Sequence, residues 1–111
     1  MLKYIHKKLQ IGDKMYAPGH ITLDDQKKLP SFTNNADAIK WFKSTYGDKF
    51  IYIESDYLRD QKCYIYYLIL DELAYFSGHN ELKNIGRVTN PMRFLASHQK
   101  IEIFEDGHIH I

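Results

Sequence analysis

The chain reads as one α+β domain over residues 1–111: a mainly antiparallel sheet with two or three helices packed on one face and a C-terminal β-hairpin. Three observations predict it. A length of 111 residues suffices for one modest hydrophobic core and not for two. Segments of helical and of strand periodicity are mixed without regular βαβ alternation. The last eleven residues carry strand alternation on both sides of Asp106-Gly107, a dipeptide suited to hairpin turns.

In chain order, residues 2–11 fit either period. Leu2, Ile5 and Leu9 recur at helical spacing, while Ile5, Lys7, Leu9 and Ile11 line one strand face; a strand is expected, followed by turns at Gly12-Asp13 and Pro18-Gly19. Thr22 and Asp25 have the spacing of a capping box, opening a short helix to Leu29 that Pro30 stops. Asn34 or Asn35 caps the clearest helix, with Ile39, Phe42 and Tyr46 on one stripe and Gly47 at its end. Residues 50–55 alternate and residues 63–70 are nearly all apolar, predicting two antiparallel strands joined by the polar residues 56–62. Residues 73–76 fit either another strand of the sheet, the expected reading, or the start of a helix with Asp71 and Glu72 in its first turn, and 77–88, with two glycines, are expected to form a loop. Asn90-Pro91 starts a short helix to about His98, and the hairpin follows.

Composition excludes several classes. Apolar residues at 44% and charged residues at 26% fit neither a disordered nor a fibrous chain. The longest apolar run has eight residues where a membrane helix needs about 20, so no membrane partner is expected. The N-terminal residues lack the pattern of a signal peptide, and the lone Cys63 rules out an internal disulfide framework; a cytoplasmic location is expected. The net charge is +1, but nine lysines against five acids give +4 over residues 1–49, and residues 50–111 carry −3. The lysines 3, 7, 8, 27, 28, 40 and 43, with Tyr4, Tyr16 and Trp41, are the raw material of a single-stranded nucleic-acid surface. The near-zero net charge argues against it. No dinucleotide fingerprint, phosphate loop, nucleophile elbow or Cys-x-x-Cys occurs, so no cofactor is expected.

The best chemical candidate is the hairpin. A two-residue Asp106-Gly107 turn pairs Glu105 with His108, Phe104 with Ile109 and Ile103 with His110, putting Glu105, His108 and His110 on one face. Two imidazoles beside a carboxylate suit general-base chemistry, or, with a third ligand from His79 or His98, a divalent metal held by His108 and His110. The plain alternative is a solvent-facing hairpin with cross-strand polar pairs. Cys63, inside the apolar run, reads as a small hydrophobe, and Asp24 and Asp25 as helix-start charges.

Nine tyrosines, six of them between Tyr52 and Tyr75, are the one unusual count, and interfaces favour such side chains. The expected function is a small protein-binding module, an inhibitor or accessory factor, for instance of a mobile element. Trp41, Tyr57, Tyr64, Tyr66 and Arg93 are the expected contacts. A His-based or metal-dependent hydrolase or nuclease is the alternative, and nucleic-acid binding the third reading. An exposed edge strand would also allow a homodimer.

Overall fold

A computed structural model describes residues 16–111. The strand expected at residues 2–11 and the turn at Gly12-Asp13 lie outside the described residues, as does the basic surface's Tyr4, Lys3, Lys7 and Lys8. The elements are α1 Leu23–Lys27, α2 Asn35–Tyr46, a 3-10 turn Gly47–Lys49, β1 Phe50–Leu58, β2 Gln61–Ile69, α3 Glu72–Ile85, α4 Pro91–Ala96, β3 His98–Phe104 and β4 Ile109–His110. The strands form one antiparallel sheet in the order β1-β2-β3-β4, so the class is α+β as expected.

Local chemistry sets most of the helix ends. At α1 both bonds of the capping box form, Asp25 N–H to Thr22 Oγ1 and Thr22 N–H to Asp25 Oδ2, each 3.0 Å. Asn34 caps α2 by accepting the Asp37 amide at 2.9 Å, and Asn90 caps α4 with Pro91 in its first turn.

Directly paired residues share a sheet face. One face carries Phe50, Tyr66, Leu68, Ile101 and Ile103, which with Ala38 and Phe42 of α2 and with Ile21 make the main core. Phe50 stacks on Tyr66 at 4.3 Å between ring centres and on Phe42 at 5.2 Å, a column from helix to sheet. α2 and the residues flanking α1 therefore pack on this face. The other face carries Cys63, Tyr67, His98, Glu102, Phe104 and His110, and α3 and α4 meet only its one end. There Tyr75 of α3 lies 6.2 Å from Tyr67 and 5.0 Å from His98, and Phe94 of α4 lies 5.1 Å from His98.

Three expectations are corrected. Residues 73–76 are not a strand and 77–88 are not mainly a loop: α3 runs through both, capped by Asp71, which accepts the Ala74 amide at 3.1 Å. Gly78 is a contact residue and not a breaker, since a Cβ there would sit 2.2 Å from Phe94 Cδ1; its bare Cα lets α4 lie against α3. Second, β1 and β2 extend far into the expected 56–62 connection, leaving only Arg59 and Asp60 at the turn, both left-handed with φ of 53° and 65°. Twisted strands favour this two-residue geometry, and Asp tolerates it better than Arg.

Third, the C-terminal hairpin has a three-residue loop. The Gly107 amide donates to Phe104 O and the Phe104 amide to His108 O, each 2.9 Å, so Glu102 pairs with His110 and Ile103 with Ile109. The pairing is one residue away from a two-residue turn, and every β4 side chain changes its partner. Gly107 has φ of 89°, and a Cβ on it would meet the Phe32 carbonyl oxygen at 2.4 Å. Substituting Ala at Gly86, also left-handed but facing open space, should cost about 1 kcal/mol, whereas Gly107→Ala should cost at least about 2–3 kcal/mol because the Phe32 backbone must move as well. Denaturant unfolding of both variants measures the difference; equal losses would contradict the close approach.

Candidate functional site

The corrected register builds a different cluster from the one expected. Glu105 leaves the histidine face and ties the hairpin to its surroundings: its carboxylate accepts the Lys62 amide at 2.8 Å, its own amide donates to Lys62 O, and its carbonyl accepts the Asn35 amide. In its place stands Glu102, nearly buried at 9% exposure, whose Oε1 lies 2.7 Å from His110 Nδ1. A carboxylate can only accept, so Nδ1 carries the hydrogen and the second ring nitrogen, Nε2, is left for another partner. His108 shares this face, its ring 5.9 Å from that of Phe104.

The β1–β2 turn closes the other side. Leu58, Arg59, Gln61, Glu102, Phe104, Asp106, His108 and His110 line a cleft of about 480 Å³, within the range of small-molecule sites. Asp106 is spoken for: its carboxylate accepts the His108 amide at 2.9 Å and a bond from the Gln61 side chain, which hold it below the usual carboxylate range. Both expected histidines thus sit in one cleft with a carboxylate, though not Glu105. The metal reading gains nothing, because no group of three or more His, Cys, Asp or Glu among the described residues is arranged to hold an ion. His98, on the same face, is four residues along β3 from Glu102, about 13 Å at strand rise. His79 stacks on Tyr75 at 5.9 Å in α3.

Beneath the cleft, Cys63 is fully buried with Sγ 4.0 Å from Glu102 Oε2; burial first, and then that carboxylate, push its thiol up from the ordinary value. It is an inert core thiol.

The expected contact residues do not form one surface. Tyr66 is buried at 5% exposure in the main core, and Tyr64 and Trp41 are half-buried against it. Tyr57 stands exposed on the edge strand β1, and Arg93 on α4 pairs with Asp71 at 3.6 Å. The apolar surface lies elsewhere. Along α3 the positions 74, 75, 78, 82 and 85 form one stripe; Ala74, Tyr75 and Gly78 are buried, but Leu82 and Ile85 are 44% and 59% exposed. Leu73, Phe76, Met92 and Leu95 on the same two helices are also exposed. Sequence reasoning misses this face because the glycines and polar residues of 77–88 suggest a loop, although the stripe is present in the spacing.

No protein-family model, curated protein or solved structure matches the chain. Among the described residues no helix is long and apolar enough to cross a membrane.

Two outcomes check these environments. A thiol reagent should modify native Cys63 at least roughly 100-fold more slowly than in the unfolded chain, since reaction needs an opening of the core. His98 is held below its ordinary pKa of 6.5 by burial, with the Phe94 backbone opposing. The unfolded chain therefore takes up its proton first as pH falls, and stability should drop as pH is lowered from about 7 through the His98 range. Unfolding curves of His98→Phe should show a shallower drop; an unchanged slope would contradict a neutral, half-buried His98.

Proposed function

We propose that this protein is a cytoplasmic protein-binding module, an inhibitor or accessory factor that docks another protein on the α3–α4 face. The observation that carries the reading is the apolar stripe of α3 continuing past the core. A helix normally buries its stripe along its whole length, and apolar side chains that continue the stripe into solvent, here Leu82 and Ile85, mark an interaction surface.

Charge suggests the partner's character. Around Leu82 and Ile85 stand Lys83 and Arg87, both exposed, while the nearby acid Glu81 is engaged by the Thr89 hydroxyl and amide. The partner is accordingly an amphipathic segment with acidic flanks, laid along the helix so that its apolar side chains cover Leu82 and Ile85. The lone cysteine, buried and free, agrees with a reducing compartment.

The double variant Leu82→Glu/Ile85→Glu tests this. Both side chains are exposed, so the fold should lose no more than about 1 kcal/mol, whereas a partner captured from host extract should lose affinity by at least roughly 30-fold. Lys83→Glu/Arg87→Glu should weaken the same complex mainly through a slower association rate at low salt. A partner bound equally well by wild type and by both variants would sink the assignment of this face.

A further inference from the structure

The outer edge of β1 shares no residue with the α3–α4 face, and among the described residues it is the longer of the sheet's two edges, nine residues against two in β4. We propose that it receives an extended segment of another protein as a further strand, one with lysine or arginine at two alternate positions and apolar side chains at the positions between and beside them. The backbone supplies the first part of the argument. Residues opposed in an antiparallel pair alternate between those that bond each other and those whose N–H and C=O turn away. Lys62 fixes the phase: its amide donates to the Glu105 carboxylate at 2.8 Å and its carbonyl accepts the Glu105 amide, so both groups face away from β1. Tyr57, opposite Lys62, therefore turns its own N–H and C=O outward, and so does Ser55, two residues back and opposite Tyr64. The Tyr57 amide accordingly finds its acceptor in the neighbouring Asp56 carboxylate, at 2.7 Å.

Charge then selects the occupant. Glu54 and Asp56 are the only charged residues of β1; both are exposed, and their partners Ile65 and Cys63 put them on one sheet face. Among the described residues neither carboxylate meets a cation. A second copy of this chain is the wrong strand for such an edge: the registers that pair most of β1 with itself, centred on Glu54, Ser55 or Asp56, set acid opposite acid. Two basic side chains at alternate positions fall opposite both acids instead. On the other sheet face Tyr52 and Tyr57, 53% and 67% exposed, flank Ser55 and offer rings to the apolar side chains of the incoming strand. The bond between Asp56 and the Tyr57 amide is the one the strand replaces, its carbonyl taking the amide and its ammonium or guanidinium the carboxylate. Acids on an open edge thus turn away like copies and admit a basic strand.

The probe is the blocked peptide acetyl-Thr-Val-Lys-Val-Lys-Val-Thr-amide, titrated into the full chain and followed by backbone amide NMR shifts and hydrogen exchange. Two comparators carry one change each: Glu in place of both lysines, which reverses the charge, and Pro in place of the central Val, which keeps the charge and removes the amide that faces the edge. Saturable shifts confined to β1 and its β2 partners are expected, with exchange of the Ser55 and Tyr57 amides slowed at least roughly tenfold at saturation. Affinity should be at least roughly tenfold above that of either comparator. Glu54→Lys/Asp56→Lys should reverse the preference, so that the Glu peptide binds more tightly, with the melting temperature nearly unchanged because both side chains are exposed. A Pro peptide that binds as well as the probe would reduce the interaction to charge alone and overturn the proposal. So would Ser55 and Tyr57 amides that are already slow in the free protein, which would mean an edge already covered, or protection that rises with protein concentration, which would mean a second copy.

Discussion

The two-residue period of β3 is the constraint from which the other features follow. Ile101 and Ile103, both fully buried, point to α2 and close the main core. The intervening residues point the other way, so His98 meets Tyr67, Tyr75 and Phe94 at one end of the opposite face while Glu102 and Phe104 line the cleft at the other. A one-residue slip would carry Glu102 into an apolar core with no partner, at a cost of several kcal/mol. Burial of the two isoleucines thus holds the carboxylate where His110 can reach it.

The partner strand is placed by a second constraint, which acts from outside the hairpin. Gly107 lies against the Phe32 backbone just ahead of α2, and the Glu105 carbonyl accepts the Asn35 amide in the first turn of that helix. The loop is therefore clamped on the start of α2, and the three-residue turn gives β4 its register. At the other end of the molecule the same kind of close approach operates through Gly78, whose missing side chain admits Phe94 and fixes α4 on the first half of α3. α4 spans only six residues, too short to follow α3 to its end. That is why the stripe is covered at Tyr75 and bare at Ile85.

Much of this was legible in the sequence where the determinants are local. The Thr22–Asp25 box, the Asn34 cap, the Asn90-Pro91 start and the start of β1 at Phe50 are short-range chemistry, and each appears where expected. The hairpin itself was legible but its loop length was not. Asp-Gly serves a two-residue turn and equally a three-residue loop with Gly left-handed, and the choice is made by Phe32 and Asn35, some 70 residues away. One residue of difference exchanged Glu105 for Glu102 in the candidate cluster. The sequence hides α3 because glycine and asparagine lower helix propensity in its middle, although Asp71, the 74-78-82-85 spacing and Gly86 supply cap, stripe and stop. Residue type alone singles out the tyrosines; strand parity, which sends Tyr66 to the core, depends on pairings that no single segment reveals.

Amide hydrogen exchange along α3 of the protein alone tests the central claim most directly, that this helix runs past its own core and holds an uncovered apolar stripe. Strong protection is expected for the turns around residues 75–78 and exchange faster by at least about tenfold for residues 82–85, where only the helix's own hydrogen bonds resist opening. Equal protection along the whole helix would mean that Leu82 and Ile85 are already covered, and would contradict a face kept open for a partner.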